Sequence, residues 1–243
     1  MAACHAAGDD RPVRRMILWD IDGTLIRSGG VGRRVIEEAA ALVGRLTDVP
    51  RVVMSGKTDP QILREIFAAA ALAADHIDTL LPDALAAAEA ALAERERELR
   101  DEGRVLPGVV PLLERLRDTQ GIRQTLLTGN LTMNAAVKVG AFGLTGFFDI
   151  EVGAYGTDHA DRLELVPIAL DRVARLRGET YQPDEVWVVG DTANDLACAR
   201  AGGVRCLLVG TGSNPRDLDD LKPDAALPDL RDVDRAVRIL TRD

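Results

Sequence analysis

Two aspartates, Asp20 and Asp22, follow an apolar run and open the string Asp20-Ile21-Asp22-Gly23-Thr24-Leu25. A two-residue spacing in extended backbone aims both carboxylates the same way. Neighbouring carboxylates repel, which is tolerated where a hard divalent cation lies between them, and carboxylate plus carbonyl oxygens suit magnesium. An acidic turn that caps a helix, with Gly23 making the bend, would use the same residues for structure alone. A second acidic cluster, Gly190-Asp191-Thr192-Ala193-Asn194-Asp195, ends another apolar run, Val188-Val189. Asp191 or Thr192 can cap a helix from Ala193, and capping is compatible with metal binding. A third string, Leu126-Leu127-Thr128-Gly129-Asn130, offers a hydroxyl and the amides of Gly129 and Asn130 where a helix begins near Leu131. Such a turn can hold phosphate oxygens, or serve only as a helix entry.

These strings gain meaning from the elements that deliver them. Short apolar runs at Val13–Asp20, Arg123–Thr128, Phe148–Val152, Glu185–Val189 and Arg205–Val209 read as buried parallel strands, most of them ending in Gly or acidic residues. Helical spacing marks Gly108–Thr119, Arg162–Arg177 and Ala193–Ala201 between them. Strand and helix in alternation give an α/β fold with a doubly wound parallel sheet, whose ligands bind beyond the carboxyl ends of the strands. Asp20, Thr128 and Asp191 all stand at such ends.

About 100 residues separate the first run from the second, where a βαβ unit needs roughly 30. Alanine fills half of Ala68–Ala93, and Glu94–Glu102 continues in alternating charges, so the interval is strongly helix-favouring. The expected organisation is a tail over 1–12, a Rossmann-like core over 13–26 and 105–243, and an inserted helical domain over 27–104. Pro50, Pro60 and Pro82 are expected to divide that insert into short helices rather than one coiled-coil arm.

Together the DxDGT string, the Thr128 turn and the GDTxxD string resemble the haloacid dehalogenase-like hydrolase superfamily, and within it the phosphoglycolate phosphatase-like members with a helical cap. The resemblance covers nearly all of residues 14–230. It implies that Asp20 attacks phosphorus and that Asp22 is general acid, then base. Asp22, having to hold a proton, is expected away from direct charge neutralisation. Magnesium would be bound by Asp20, by Asp22 through its main-chain carbonyl, and by Asp191. Asp195, four residues on, would hold ligands or metal-bound water in place.

The family's third motif expects a Lys at the start of the helix after the third strand, and Gly153–Arg162 contains none. Arg162 is the nearest cation, preferred as the group that neutralises nucleophile and phosphoryl charge, with a surface salt bridge as its plain alternative. Lys138 is the competitor, expected to run along a helix flank. His159 reads as a loop residue. In the insert, Ser55-Gly56-Lys57-Thr58-Asp59 is not a P-loop, because Arg51 stands where that pattern needs Gly. It resembles the family's cap turn over the active site, which makes Lys57 a candidate substrate contact, while Thr58 or Asp59 could be an ordinary helix cap. Gly30-Val31-Gly32 lacks the third Gly of a dinucleotide fingerprint.

Composition narrows the classes. Among 243 residues, 30 Lys+Arg against 39 Asp+Glu give a net charge of −9, which disfavours a nucleic-acid partner. The longest apolar stretches, such as Phe67–Ala74, fall well short of the roughly 20 residues that span a bilayer. Cys4, Cys198 and Cys206 form no CxxC pair and read as reduced thiols. The expectation is a cytoplasmic, magnesium-dependent phosphatase, monomer or homodimer, that hydrolyses a small phosphorylated metabolite such as a phosphoglycolate-like or sugar phosphate. Phosphoryl transfer as in sugar-phosphate mutases, carbon–halogen hydrolysis and a noncatalytic binding module are the alternatives.

Overall fold

A computed structural model describes residues 14–212 and 218–241. The tail expected over 1–12, with Cys4, lies outside the described residues. Five strands, β1 (Arg15–Trp19), β4 (Ile122–Leu126), β5 (Val186–Gly190), β6 (Arg205–Val209) and β7 (Ala225–Leu227), form one parallel sheet in the order β4-β1-β5-β6-β7. β1 sits between two parallel partners, which is why all of its residues are buried.

Side-chain alternation then builds two layers. Ile17, Trp19, Trp187, Val189, Leu207 and Val209 face one apolar cluster, formed with α5 (Val109–Arg117), α6 (Thr132–Ala141) and α9 (Val233–Thr241). Met16, Leu18, Val186, Val188, Cys206 and Leu208 face the other, with α7 (Leu165–Arg177) and α8 (Ala193–Ala201). Cys198 and Cys206 are buried free thiols within this second layer.

A two-residue antiparallel ladder, β2 (Ile26–Arg27) with β3 (Arg104–Val105), carries the chain out of the sheet and back. Between its strands lie α1 (Val31–Gly44), α2 (Asp59–Ala69), α3 (Ala74–Glu94) and α4 (Glu96–Glu102), which bury an apolar cluster of their own. That cluster also takes in Leu131 and Ala141 at the two ends of α6, so the inserted helices rest on the core helix that follows Thr128.

Two expectations need correction. Pro82 does not break the insert; it lies inside the 21-residue α3. The missing backbone hydrogen bond there is outweighed by Ile77, Leu81, Ala84, Ala88 and Leu92, which bury one continuous stripe. Phe148–Val152 is not a strand. Ile150–Val152 is a 3-10 turn, and only the bridge Leu127↔Ala154 extends the sheet there. The Thr125 hydroxyl and the Gln124 carbonyl both bond Asp149, at 2.7 and 2.9 Å, so this segment caps the sheet edge without pairing along it.

Candidate active site

Asp20 follows β1 directly, and its amide continues the sheet by donating to Val189 O at 2.9 Å. Gly23 then turns the chain with φ +90, and a Cβ there would lie 2.5 Å from Asp191 Oδ2. That close approach requires glycine and brings the Asp22–Thr24 loop against the end of β5. Thr24 Oγ1 donates to Asp191 Oδ1 at 3.2 Å, and Thr211 Oγ1 donates to Gly23 O at 2.6 Å.

Ligand oxygens of Asp20, Asp191 and Asp195 lie within 4.8 Å of one another, and all three residues are buried. Arg162, 5% exposed, reaches in from the 3-10 turn that precedes α7 and donates through Nη2 to Asp20 Oδ1 at 2.9 Å and Asp195 Oδ1 at 2.5 Å. It is no surface salt bridge. Asp195 is fixed by a capping box as well: its Oδ2 accepts from Thr192 N at 3.0 Å and Thr192 Oγ1 at 2.6 Å. Capping and clustering therefore coexist in the same residues.

Three carboxylates against one guanidinium leave two formal negative charges uncompensated. Burial first, with Asp195 and Asp22 adding to it and Arg162 working against it, pushes Asp20 up to about 7. Burial, then Asp195 and Asp20, pushes Asp191 up to about 8. Burial works against the charge on Arg162, yet its two carboxylate partners raise its proton affinity overall. Such a set, all hard oxygen donors with a surplus of two negative charges, fits a divalent cation.

Asp22 lives in a different setting. Its side chain is 38% accessible, facing the cavity, and its Oδ2 accepts from Lys138 Nζ at 2.5 Å and Asn130 Nδ2 at 2.9 Å. Burial raises its pKa, but the attraction of Lys138 and hydrogen bonds from Lys138, Asn130 and Ser28 outweigh that, leaving it below the ordinary value. Two expectations fall here. Lys138 does not run along a helix flank; it is 5% exposed and aimed at the site. Nor is Asp22 kept from charge neutralisation, since Lys138 neutralises it directly. The side chain of Asp22 is also outside the three-carboxylate cluster, whose third member is Asp195.

The Thr128 turn is tightly held. Thr128 Oγ1 accepts from Asn130 Nδ2 at 2.7 Å and from the Asn130 amide at 3.3 Å, so that amide is not turned outward as expected. Gly129 O accepts from Asp59 N at 2.8 Å, and a Cβ on Gly129 would lie 2.1 Å from Lys57 O. Thr58 caps α2 through Gln61 N at 3.2 Å, and its hydroxyl also donates to Ala160 O at 2.5 Å. Asp59 was open to reading as a plain cap; its Oδ2 accepts from Leu131 N at 2.9 Å, so it serves the entry of α6 in the core. No sequence spacing signals that role.

A cavity of about 700 Å³ opens above these groups, lined by Asp20, Asp22, Asp191, Arg162, Lys138 and, from the insert, Lys57. Lys57 Nζ donates to Glu65 Oε2 at 2.5 Å, so its charge is already met within the insert. His159 is an exposed loop residue whose Nδ1 faces the Asp161 amide at 3.1 Å. Among the described residues, no helix is long and apolar enough to cross a membrane.

Known proteins resemble this chain. The haloacid dehalogenase-like hydrolase family model matches residues 15–203. A phosphoglycolate phosphatase of Pseudomonas putida is 31% identical over 223 residues, covering 89% of this chain and 77% of that protein. One from Caulobacter vibrioides is 27% identical over 235 residues, covering 93% and 92%. The solved structure of CbbY from Rhodobacter sphaeroides in complex with phosphate superposes with a TM-score of 0.65 at 20% identity, covering 90% of this chain and 96% of that one. The chain therefore belongs to the haloacid dehalogenase-like hydrolase family.

Proposed function

We propose that this protein is a magnesium-dependent phosphatase that hydrolyses small phosphate monoesters through an aspartyl-phosphate on Asp20. The observation that carries this reading is the buried trio of Asp20, Asp191 and Asp195, with Arg162 as its only ion-pair partner among the described residues, at the mouth of a cavity. Two relatives named phosphoglycolate phosphatase support the substrate class.

Magnesium would be held by Asp20, Asp191 and the main-chain carbonyl of Asp22, with Asp195 beside them, and would supply charge neutralisation for the phosphoryl oxygens. Asp20 attacks phosphorus in line with the departing oxygen, while Arg162 absorbs charge on the transferring group. Asp22 protonates the leaving oxygen and then takes a proton from the water that attacks the phosphoenzyme. Lys138 and Asn130 favour the ionised form of Asp22 that the second step needs. The arriving phosphoryl dianion opposes its ionised form and favours the protonated one needed for the first. Thr128 and Gly129 hold phosphoryl oxygens, and Asn130 orients both Thr128 and Asp22. Lys57 stands at the substrate's far end on the cap, the inserted unit of 27–104, which covers the site and keeps bulk water out.

The test is a screen of phosphorylated metabolites with magnesium present. Inorganic phosphate should appear in proportion to substrate consumed, with no phosphorylated product, and Asp20→Asn should abolish it. Turnover that survives Asp20→Asn, or that ignores removal of divalent metal, would refute the reading.

A further inference from the structure

Lys138 is a buried cation outside the two acidic strings and the Thr128 string, and the place of a cation beside Asp20 is already taken by Arg162. It lies in the last turn of α6, eight residues after Asn130, and its side chain runs back toward the helix N-terminus as helical side chains do. Burying an ammonium is unfavourable unless it is paired and hydrogen-bonded. Here it is both, through a closed ring: Lys138 Nζ donates to Asp22 Oδ2 at 2.5 Å and Asn130 Oδ1 at 2.6 Å, and Asn130 Nδ2 donates to the same Asp22 oxygen at 2.9 Å. Asn130 is fixed in turn by Thr128 Oγ1 at 2.7 Å.

The ring is separate from the other cation. Arg162 bonds Asp20 and Asp195, and Lys138 bonds Asp22 and Asn130, with no shared oxygen. The insert encloses the ammonium from above: a Cβ on Gly32 of α1 would lie 3.3 Å from Lys138 Nζ. A residue serving only to fasten α6 would not need to face the cavity, yet Lys138, Asn130 and Asp22 all line it.

We infer that Lys138 is a positioning residue for proton transfer to the leaving group, acting with Asn130 to fix the Asp22 carboxyl group where it meets the departing oxygen. The inference rests on the phosphatase reading above and divides the work of the two cations. Arg162 serves formation of the Asp20–phosphorus bond. Lys138 serves cleavage of the bond from phosphorus to the leaving oxygen, whose electron pair is taken up by the proton from Asp22.

Leaving groups of graded basicity separate this role from a structural one. A nitrophenolate departs without much help from an acid, whereas an alkoxide needs the proton. Lys138→Met should lower kcat/KM, which reports phosphoryl transfer and not the later hydrolysis of the phosphoenzyme, by about 100-fold for alkyl phosphates and only a few-fold for p-nitrophenyl phosphate, in keeping with the size of general-acid effects. Lys138→Arg, which keeps the charge but not the reach, should recover part of the alkyl phosphate rate. Asn130→Ser should steepen the dependence on leaving-group basicity in the same direction, which keeps the test open should Lys138→Met fold poorly. An equal loss in kcat/KM across all leaving groups, in variants that stay folded at the assay temperature, would overturn the assignment while leaving the phosphatase reading intact. Absence of any phosphate release from wild type would instead sink that reading, and this one with it.

Discussion

Asp20 and Asp22 stand two residues apart in one loop and face the same cavity, but their surroundings oppose each other. Around Asp20 three carboxylates share one guanidinium, and burial with mutual repulsion pushes Asp20 to about 7 and Asp191 to about 8. Around Asp22, burial is outweighed by a dedicated ammonium and an amide, and the carboxyl is held below its ordinary value. The first region carries a surplus of negative charge, and the second is balanced as it stands. Paired groups pushed in opposite directions are how one site can run nucleophilic and acid–base chemistry side by side.

That contrast can be broken most sharply by neutralising each member in turn. Asp20→Asn removes the attacking oxygen, so p-nitrophenyl phosphate turnover should fall on the order of 10⁴-fold or more, with no pre-steady-state burst. Asp22→Asn keeps the nucleophile and loses the base. Stopped-flow absorbance should then show one equivalent of nitrophenolate per enzyme, followed by a slow phase limited by phosphoenzyme hydrolysis. Identical traces for the two variants would erase the distinction between the regions. A smaller effect is expected at the cation: Arg162→Met should lower kcat by about 10²- to 10³-fold, the scale of losing one preorganised charge donor. Arg162→Lys should restore part of it, since charge is kept and the two-carboxylate contact is shortened in reach.

The same contrast explains what could be read from the residues alone. Strands β5 and β6 were legible because each is an apolar run closed by Gly, a local signal for a buried strand delivering a loop, and helix α8 because it follows the Gly190-Asp191-Thr192 turn. Asp20, Thr128 and Asp191 were legible as convergent for that reason. Arg162 could be placed near the site because it is the nearest cation to the start of the helix after the expected third strand, where the family resemblance calls for a Lys, even though that expected strand, Phe148–Val152, contains instead the 3-10 turn Ile150–Val152. Lys138 was misread because its destination depends on how α6 is set by Asp59 and Asn130, contacts made across 72 and 8 positions of sequence. Pro82 misled because burial of α3 along one face, a tertiary effect, outweighs a local helix-breaking signal. β7 was missed: Ala225–Leu227 is three residues long and its run carries no periodicity.

The smallest effect concerns stability, and here the two regions have opposite signs. Asp20 and Asp191 have raised values in the folded protein, against 3.8 as the ordinary one, so the folded state binds more protons than the unfolded state between about 4 and 8. Stability therefore falls as pH rises through that window in metal-free protein. Asp22 is lowered, so its contribution is fully present above its ordinary 3.8 and is lost only as pH falls below it. Melting curves of chelator-treated protein should drop by several degrees from mildly acid to mildly alkaline pH. Magnesium, which binds the deprotonated carboxylates, should raise the midpoint more at the alkaline end and flatten the curve. Lys138→Met should shift the whole curve downward and make it steeper, because it removes the cation that holds Asp22 low and leaves burial to raise it. A slope that disappears in Lys138→Met and survives in Asp191→Asn would mean that the titrating charge lies on the Asp22 side, reversing the comparison.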